Sequence, residues 1–225
     1  MSFFECLKVF PEGSASASRM ALTARHLGYQ GIIICNREPD KIFMPQAADR
    51  IKGIEVAIGV EATAPGSKAL KNRISALRAR YPFIVVQGAT DEIVRVASED
   101  PNVDLLMHPC DVRRRLDIAT TRAARQNQVS IGFDLSPMLF LRGSSRSRWI
   151  EALSLNLQLL RKFELCPIIT MSATSHFDLR PPRDIIALAE TAGFEAEEAQ
   201  EALLRPAKLL ALNRRKWVGP GVETL

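Results

Sequence analysis

Seven short runs of β-forming residues recur along the chain, separated in most places by stretches of helical period, and this rhythm constrains the fold more than any other feature. The runs are Phe3–Val9, Gly31–Asn36, Ile54–Val60, Phe83–Gly88, Val103–Met107, Val129–Asp134 and Pro167–Met171. Several are continuous apolar segments (GIIIC, FIVV, PIIT), as expected of parallel strands covered on both faces. The helical stretches are Ser16–Leu27, Ser67–Ala79, Asp91–Glu99, Val112–Gln126 and Arg148–Phe163, then Arg183–Ala192, Ala196–Leu204 and Pro206–Asn213. Seven βα units exceed the usual five or six strands of an open sheet and approach the eight of a closed barrel. The expectation is an α/β protein, a distorted TIM-like (β/α) barrel with about seven parallel strands, its eighth position missing or irregularly filled. An open doubly wound sheet is the competing topology.

The 225 residues fall slightly short of the ~250 usual for such barrels. They contain no internal repeat, linker or low-complexity tract, so one TIM-like barrel domain over residues 1–225 is expected. With 47% hydrophobic and 24% charged residues, the chain can bury a full core. No apolar run approaches the roughly 20 residues that cross a bilayer, which predicts a soluble cytoplasmic protein without membrane contact. Cys6, Cys35, Cys110 and Cys166 form no CxxC pair, and reduced core thiols are expected.

The net charge of +5 is unevenly distributed. Residues 108–183 carry 12 basic against 6 acidic side chains, whereas the rest of the chain holds 18 against 19. Lys68, Lys71, Arg73, Arg78 and Arg80 make a second, acid-free basic stretch, which also fits a solvated helix face. In the helix predicted at 112–126, Val112, Leu116, Ala119 and Ala123 form an apolar stripe, and Arg113, Arg114, Asp117 and Arg125 point away from it.

Barrels place functional groups at the C-terminal ends of their strands. Those positions hold little reactive chemistry here. There are three histidines (His26, His108, His176), no HxH pair, no GxSxG elbow, and neither GxGxxG nor GxxxxGKS/T. His108, Cys110 and Asp111 could supply half a metal site or only a helix cap, and Asp134 a barrel-mouth acid or only a turn cap. No metal is expected on the protein.

Arginine-bearing segments remain. The run GSSRSR at 143–148, with Arg142, Arg146 and Arg148, has a composition that can wrap phosphates, or that forms a disordered surface loop. In FDLRPPRDI, residues 177–185, two prolines stiffen the chain beside Arg180 and Arg183, while Asp178 and Arg180 could instead pair with each other. The candidate polyanion contacts are therefore Arg142, Arg146, Arg148, Arg180 and Arg183, with Arg113, Arg114, Lys68 and Lys71 farther off. His108, Asp134 and Asp178 are candidates for orienting the rim.

Residues 167–206, PIITMSATSHFDLRPPRDIIALAETAGFEAEEAQEALLRP, resemble the C-terminal signature of the TIM-barrel subunit of archaeal and eukaryotic ribonuclease P, often called protein component three. Asp178, Arg180, Pro182, Asp184, Gly193 and Pro206 match it in order. HPCDVRRRLDIATTRAARQNQVSIGFDLSPML and ALSLNLQLLRKF extend the likeness upstream. Two departures stand out. Thr170, Met171, Ser172 and Ala173 occupy a usual Ser-Ser-Gly-Ala run, and the first strand lacks the frequent terminal aspartate, leaving Glu5 or Glu12 as substitutes.

The resemblance implies an accessory subunit. The ribonuclease P RNA, with magnesium, removes the 5′ leader of precursor tRNA. The protein, paired with a small α/β ribonuclease P subunit, for example in a heterotetramer, binds and stabilises that RNA, contacts precursor tRNA indirectly and holds no cofactor. Two rival readings are a metal-dependent phosphoesterase of the polymerase-and-histidinol-phosphatase type, which would need a His-rich rim, and a lyase or aldolase barrel, for which Lys8 is the nearest Schiff-base candidate.

Overall fold

In a computed structural model describing residues 2–44, 51–108, 110, 115–215, 217–219 and 222–223, the third β-rich run is divided at Gly59. The first part, β3 (Glu55–Ile58), follows β1 (Phe4–Leu7) and β2 (Gly31–Ile34) and pairs with β2. The second part, β4 (Val60–Ala62), pairs with β5 (Ile84–Gln87), and β6 (Leu105–His108), β7 (Ser130–Asp134) and β8 (Ile168–Thr170) follow in order. All of these pairings are parallel. At the break, Gly59 N–H donates to the Ile34 carbonyl and Val60 N–H to the Phe83 carbonyl, both at 2.9 Å, so the strand changes partner within two residues. A Cβ at Gly59 would lie 2.8 Å from the Phe83 oxygen, so this crossing requires glycine.

The expected gap at the eighth position is a seam between β8 and β1. Lys8 N–H donates to the Ala173 carbonyl at 2.9 Å, and the Thr170 hydroxyl to the Cys6 carbonyl at 3.1 Å. Glu5, fully buried, supplies the rest: its Oε1 accepts from Thr170 Oγ1 at 2.6 Å and from Met171 N–H at 2.8 Å. A side chain thus does the work of a ladder.

Alternate strand residues divide the core with the two-residue period of extended chain. Phe4, Cys6, Ile33, Phe83, Leu105 and Ile168 belong to one buried cluster, joined by Leu209 and Leu210. Ile32, Ile34, Ile84, Leu106, Ile131 and Ile169 belong to the other, with the helices. Each such large side chain contributes about 1.5–3 kcal/mol by burial.

The helices are α1 (Ala17–His26), α2 (Ser67–Arg78), α3 (Asp91–Glu99), α4 (Ile118–Gln126), α5 (Pro137–Phe140), α6 (Gly143–Lys162), α7 (Pro182–Thr191) and α8 (Ala196–Asn213). Ser16, Thr90 and Asp117 accept from backbone N–H groups three residues on and start α1, α3 and α4. Asp117 thereby corrects the helix expected from Val112. Leu116 precedes the helix, Ala119 is exposed, and Thr120, Thr121 and Ala124 face inward, because the cap resets the helical phase. Val112, Arg113 and Arg114 lie outside the described residues.

The two last helices expected from the sequence are one, α8, which runs through buried Pro206. The cost of the missing N–H is met by packing on both sides of it. A short antiparallel pair, β9 (Trp217–Gly219) and β10 (Val222–Glu223), lies beyond the elements foreseen.

Candidate functional site

The C-terminal strand ends surround a cavity of about 410 Å³, whose lining includes Lys8, Glu61, Gln87, His108, Asp134 and Thr170. Glu61, 1% exposed, accepts from Lys8 at 2.8 Å, Arg37 at 2.6 Å and Gln87 at 3.2 Å. Burial pushes its carboxyl up, but the Lys8 and Arg37 bonds and charges outweigh this and hold it below the ordinary range. Lys8 also lies 3.5 Å from Glu12. An ammonium between two carboxylates is in the opposite environment to the apolar or cationic one that activates a Schiff-base lysine. Glu12 is further engaged by the Arg37 and Glu38 amides at 2.6 and 3.1 Å.

His108 is 4% exposed, and its Nδ1 accepts from Cys110 N–H at 3.2 Å and lies 3.4 Å from Asn156 Nδ2. Asn156 in turn accepts from Leu116 N–H at 3.0 Å, so one buried amide on α6 ties the end of β6 to the entry of α4. Asn156 and Glu61 were not singled out for this role from the sequence. For Glu61 the signal is a carboxylate within an otherwise apolar stretch; Asn156, with Ser154 and Gln158 beside it, has none.

Burial pushes the Asp134 carboxyl up, opposed by hydrogen bonds from Ser136, whose N–H lies at 2.8 Å. Asp178 Oδ2 accepts from Thr174 N–H at 3.1 Å, Thr174 Oγ1 at 3.3 Å and Ser175 N–H at 2.8 Å. It therefore caps its own loop, and the alternative pairing with Arg180 is not what the structure has. Among the described residues no three His, Cys, Asp or Glu side chains converge as metal ligands. Asp111 lies outside those residues.

The run GSSRSR is the first part of α6, which corrects the loop expected there. The apolar face of Trp149, Ala152 and Leu153 docks downstream, and once a helix is nucleated each added residue gains a hydrogen bond. Arg142 and Arg148 are exposed and Arg146 half-buried. Arg146 donates to the Leu141 carbonyl at 2.6 Å, and Arg148 to Ser144 at 3.3 Å.

Arg180 donates through Nη1 to the carbonyls of Phe177 at 2.7 Å and Leu179 at 2.8 Å, while its own carbonyl accepts from Tyr29 Oη at 2.9 Å. Arg183 is highly exposed, 3.2 Å from Asp184. Since α6 and α7 follow the paired strands β7 and β8, these five arginines sit on adjacent segments at the mouth end. Lys68 and Lys71 are exposed on the first two turns of α2, Lys71 at 4.0 Å from Glu99. Arg78, from the same basic stretch, instead points inward to Asp104 at 2.5 Å.

A relative from Methanosarcina acetivorans, "Ribonuclease P protein component 3", is 37% identical, with 98% of this chain and 94% of that protein covered. Among solved structures, a chain of archaeal ribonuclease P with mature tRNA superposes with a TM-score of 0.79 at 20% identity, covering 97% of each chain. A histidinol phosphate phosphatase from Lactococcus lactis follows at TM-score 0.56 and 13% identity, covering 86% of this chain and 95% of its own. At these identities the superpositions establish the shared barrel-like fold. The profile of the RNase P subunit p30 family matches residues 6–218, and with the close relative over nearly the whole length it shows that this chain belongs to that family.

Proposed function

We propose that the chain is a protein subunit of ribonuclease P that binds and stabilises the catalytic RNA for removal of the 5′ leader from precursor tRNA, and that its RNA contacts centre on the arginines at the mouth end. The observation that carries this is the grouping of Arg142, Arg146, Arg148, Arg180 and Arg183 on adjacent segments after β7 and β8. Guanidinium forks suit phosphate oxygens, and counterion release makes their contribution independent of sequence. Lys68 and Lys71 on α2 add exposed cations, and Arg113 and Arg114 are further candidates from the sequence. His108, Asp134 and Asp178 hold the loops that present it, and the phosphodiester chemistry belongs to the RNA with its magnesium.

The protein works in the cytoplasm with a small α/β ribonuclease P subunit, two copies of each forming a heterotetramer, and meets precursor tRNA through the RNA. No described helix is long and apolar enough to cross a membrane. The test is reconstitution: purified chain and partner subunit are added to ribonuclease P RNA, and precursor tRNA cleavage is followed at low magnesium. Cleavage should rise above that of RNA alone. Magnesium- or manganese-dependent cleavage by the protein free of RNA would overturn the assignment of chemistry to the RNA.

A further inference from the structure

The four most exposed large hydrophobic side chains among the described residues are all phenylalanines, and three of them follow adjacent strands at the mouth end. Phe10, 64% exposed, follows β1; Phe140, 65% exposed, follows β7; and Phe177, 77% exposed, follows β8. The segments are bonded to one another. Ser14 N–H donates to the Thr174 carbonyl at 2.8 Å, Lys8 N–H to Ala173 at 2.9 Å and Leu135 N–H to Thr170 at 2.9 Å. Gly13 makes the first of these contacts possible, since a Cβ there would lie 2.6 Å from both the Lys8 and Thr174 oxygens.

Cations are interleaved with the rings. Phe140 stands two residues before Arg142, and residues 135–148 contain three arginines and no acid. The carbonyl of Phe177 is held by the Arg180 guanidinium at 2.7 Å. The His176 ring lies 4.0 Å from that of Phe177, centroid to centroid, at 35°, and so stacks against one face of a ring that is still 77% exposed. A protein-docking face would be continuous and apolar at its centre, with charge at its edge. Separate rings among arginines are instead what unpaired nucleotides require, with bases on π-faces and phosphates on guanidinium groups.

We propose that Phe10, Phe140 and Phe177 form a stacking platform for unpaired bases, so that the rim takes single-stranded RNA segments rather than duplex. This rests on the RNA-binding reading above. It adds that the rim has an apolar component of affinity, separable from the charge component by its salt dependence. Removing a stacked ring weakens binding without altering the number of counterions released, whereas removing an arginine changes both.

The experiment measures binding of the full chain to ribonuclease P RNA, to a single-stranded oligoadenylate and to duplex RNA of equal length over a salt series. Phe177→Leu and Phe140→Leu should each weaken single-strand binding by about five- to a hundred-fold, leave the salt slope unchanged and leave duplex binding nearly unchanged. Phe177→Trp should retain or tighten it. All three rings are exposed, so thermal melting should confirm folded variants. Unchanged single-strand affinity in the leucine variants, with arginine variants still lowering the slope, would overturn the platform and leave the RNA-binding reading standing. So would leucine variants that bind RNA normally but lose the small α/β subunit, which would make the rings a protein interface. Failure of the unaltered chain to bind any RNA would remove the RNA-binding reading itself.

Discussion

Glu5 on β1 and Thr170 on β8 close the barrel through a 2.6 Å bond between the Thr170 hydroxyl and Glu5 Oε1, at a place where the ladder itself is sparse. Burial raises the Glu5 carboxyl from its ordinary 4.5 to about 7, against the lowering effect of the Thr170 and Met171 bonds, and the Asp134 charge adds to the rise. Its Oε2 is buried without a hydrogen-bond partner, which fits a protonated group.

The folded chain therefore holds a proton that the unfolded chain releases near pH 4.5. Stability from this group falls as pH rises from about 4.5 to about 7 and stays lower above, by about 3 kcal/mol in total. Glu5→Gln should flatten that limb of a stability-against-pH curve from denaturant melts. An unaltered limb would mean that another group causes it.

Asp104 gathers three elements. It accepts from Arg78 at 2.5 Å, from Ile84 N–H at 2.6 Å and from Asn213 at 2.6 Å, tying α2, β5 and α8 together. Burial pushes its carboxyl up even against the Arg78 charge. Arg78→Ala should cost about 2–4 kcal/mol, somewhat less than a fully buried pair because the arginine is partly exposed. RNA binding should be unchanged. A loss below 1 kcal/mol in urea melts would show that Ile84 and Asn213 suffice.

Gly13 lets the loop after β1 lie against the loop after β8, with backbone oxygens on both sides of its missing Cβ. Gly13→Ala must part the two loops, and we expect a loss of about 1–3 kcal/mol together with weaker single-strand RNA binding. Normal binding with lowered melting temperature would separate the loop contact from the rim.

Arg148→Ala and Arg183→Ala should each reduce the salt slope of RNA binding by about 1 and leave melting unchanged, since both side chains are exposed. Arg180→Ala should lower the slope and also destabilise by about 1–2 kcal/mol, because its guanidinium staples the Phe177 and Leu179 carbonyls. Melting loss with an unchanged slope would assign Arg180 to structure alone.

Apolar runs such as GIIIC and FIVV, separated by helical stretches, determined where the parallel strands lie and most helix boundaries, because period and punctuation are local properties of the chain, but not the division of the third run at Gly59 into β3 and β4. The order of strands determined that the arginines after β7 and β8 share one end. Tertiary structure alone decided the partners. Glu5 as the seam, Asp178 as a loop cap instead of an ion pair, Arg78 turned inward to Asp104, and Asn156 beside His108 all depend on residues distant in sequence. The same holds for the helix over 143–148 and through Pro206, where docking of neighbouring turns overrides weak local preference. A polar side chain's partner is selected by what burial brings within hydrogen-bond reach, and no local pattern encodes that distance.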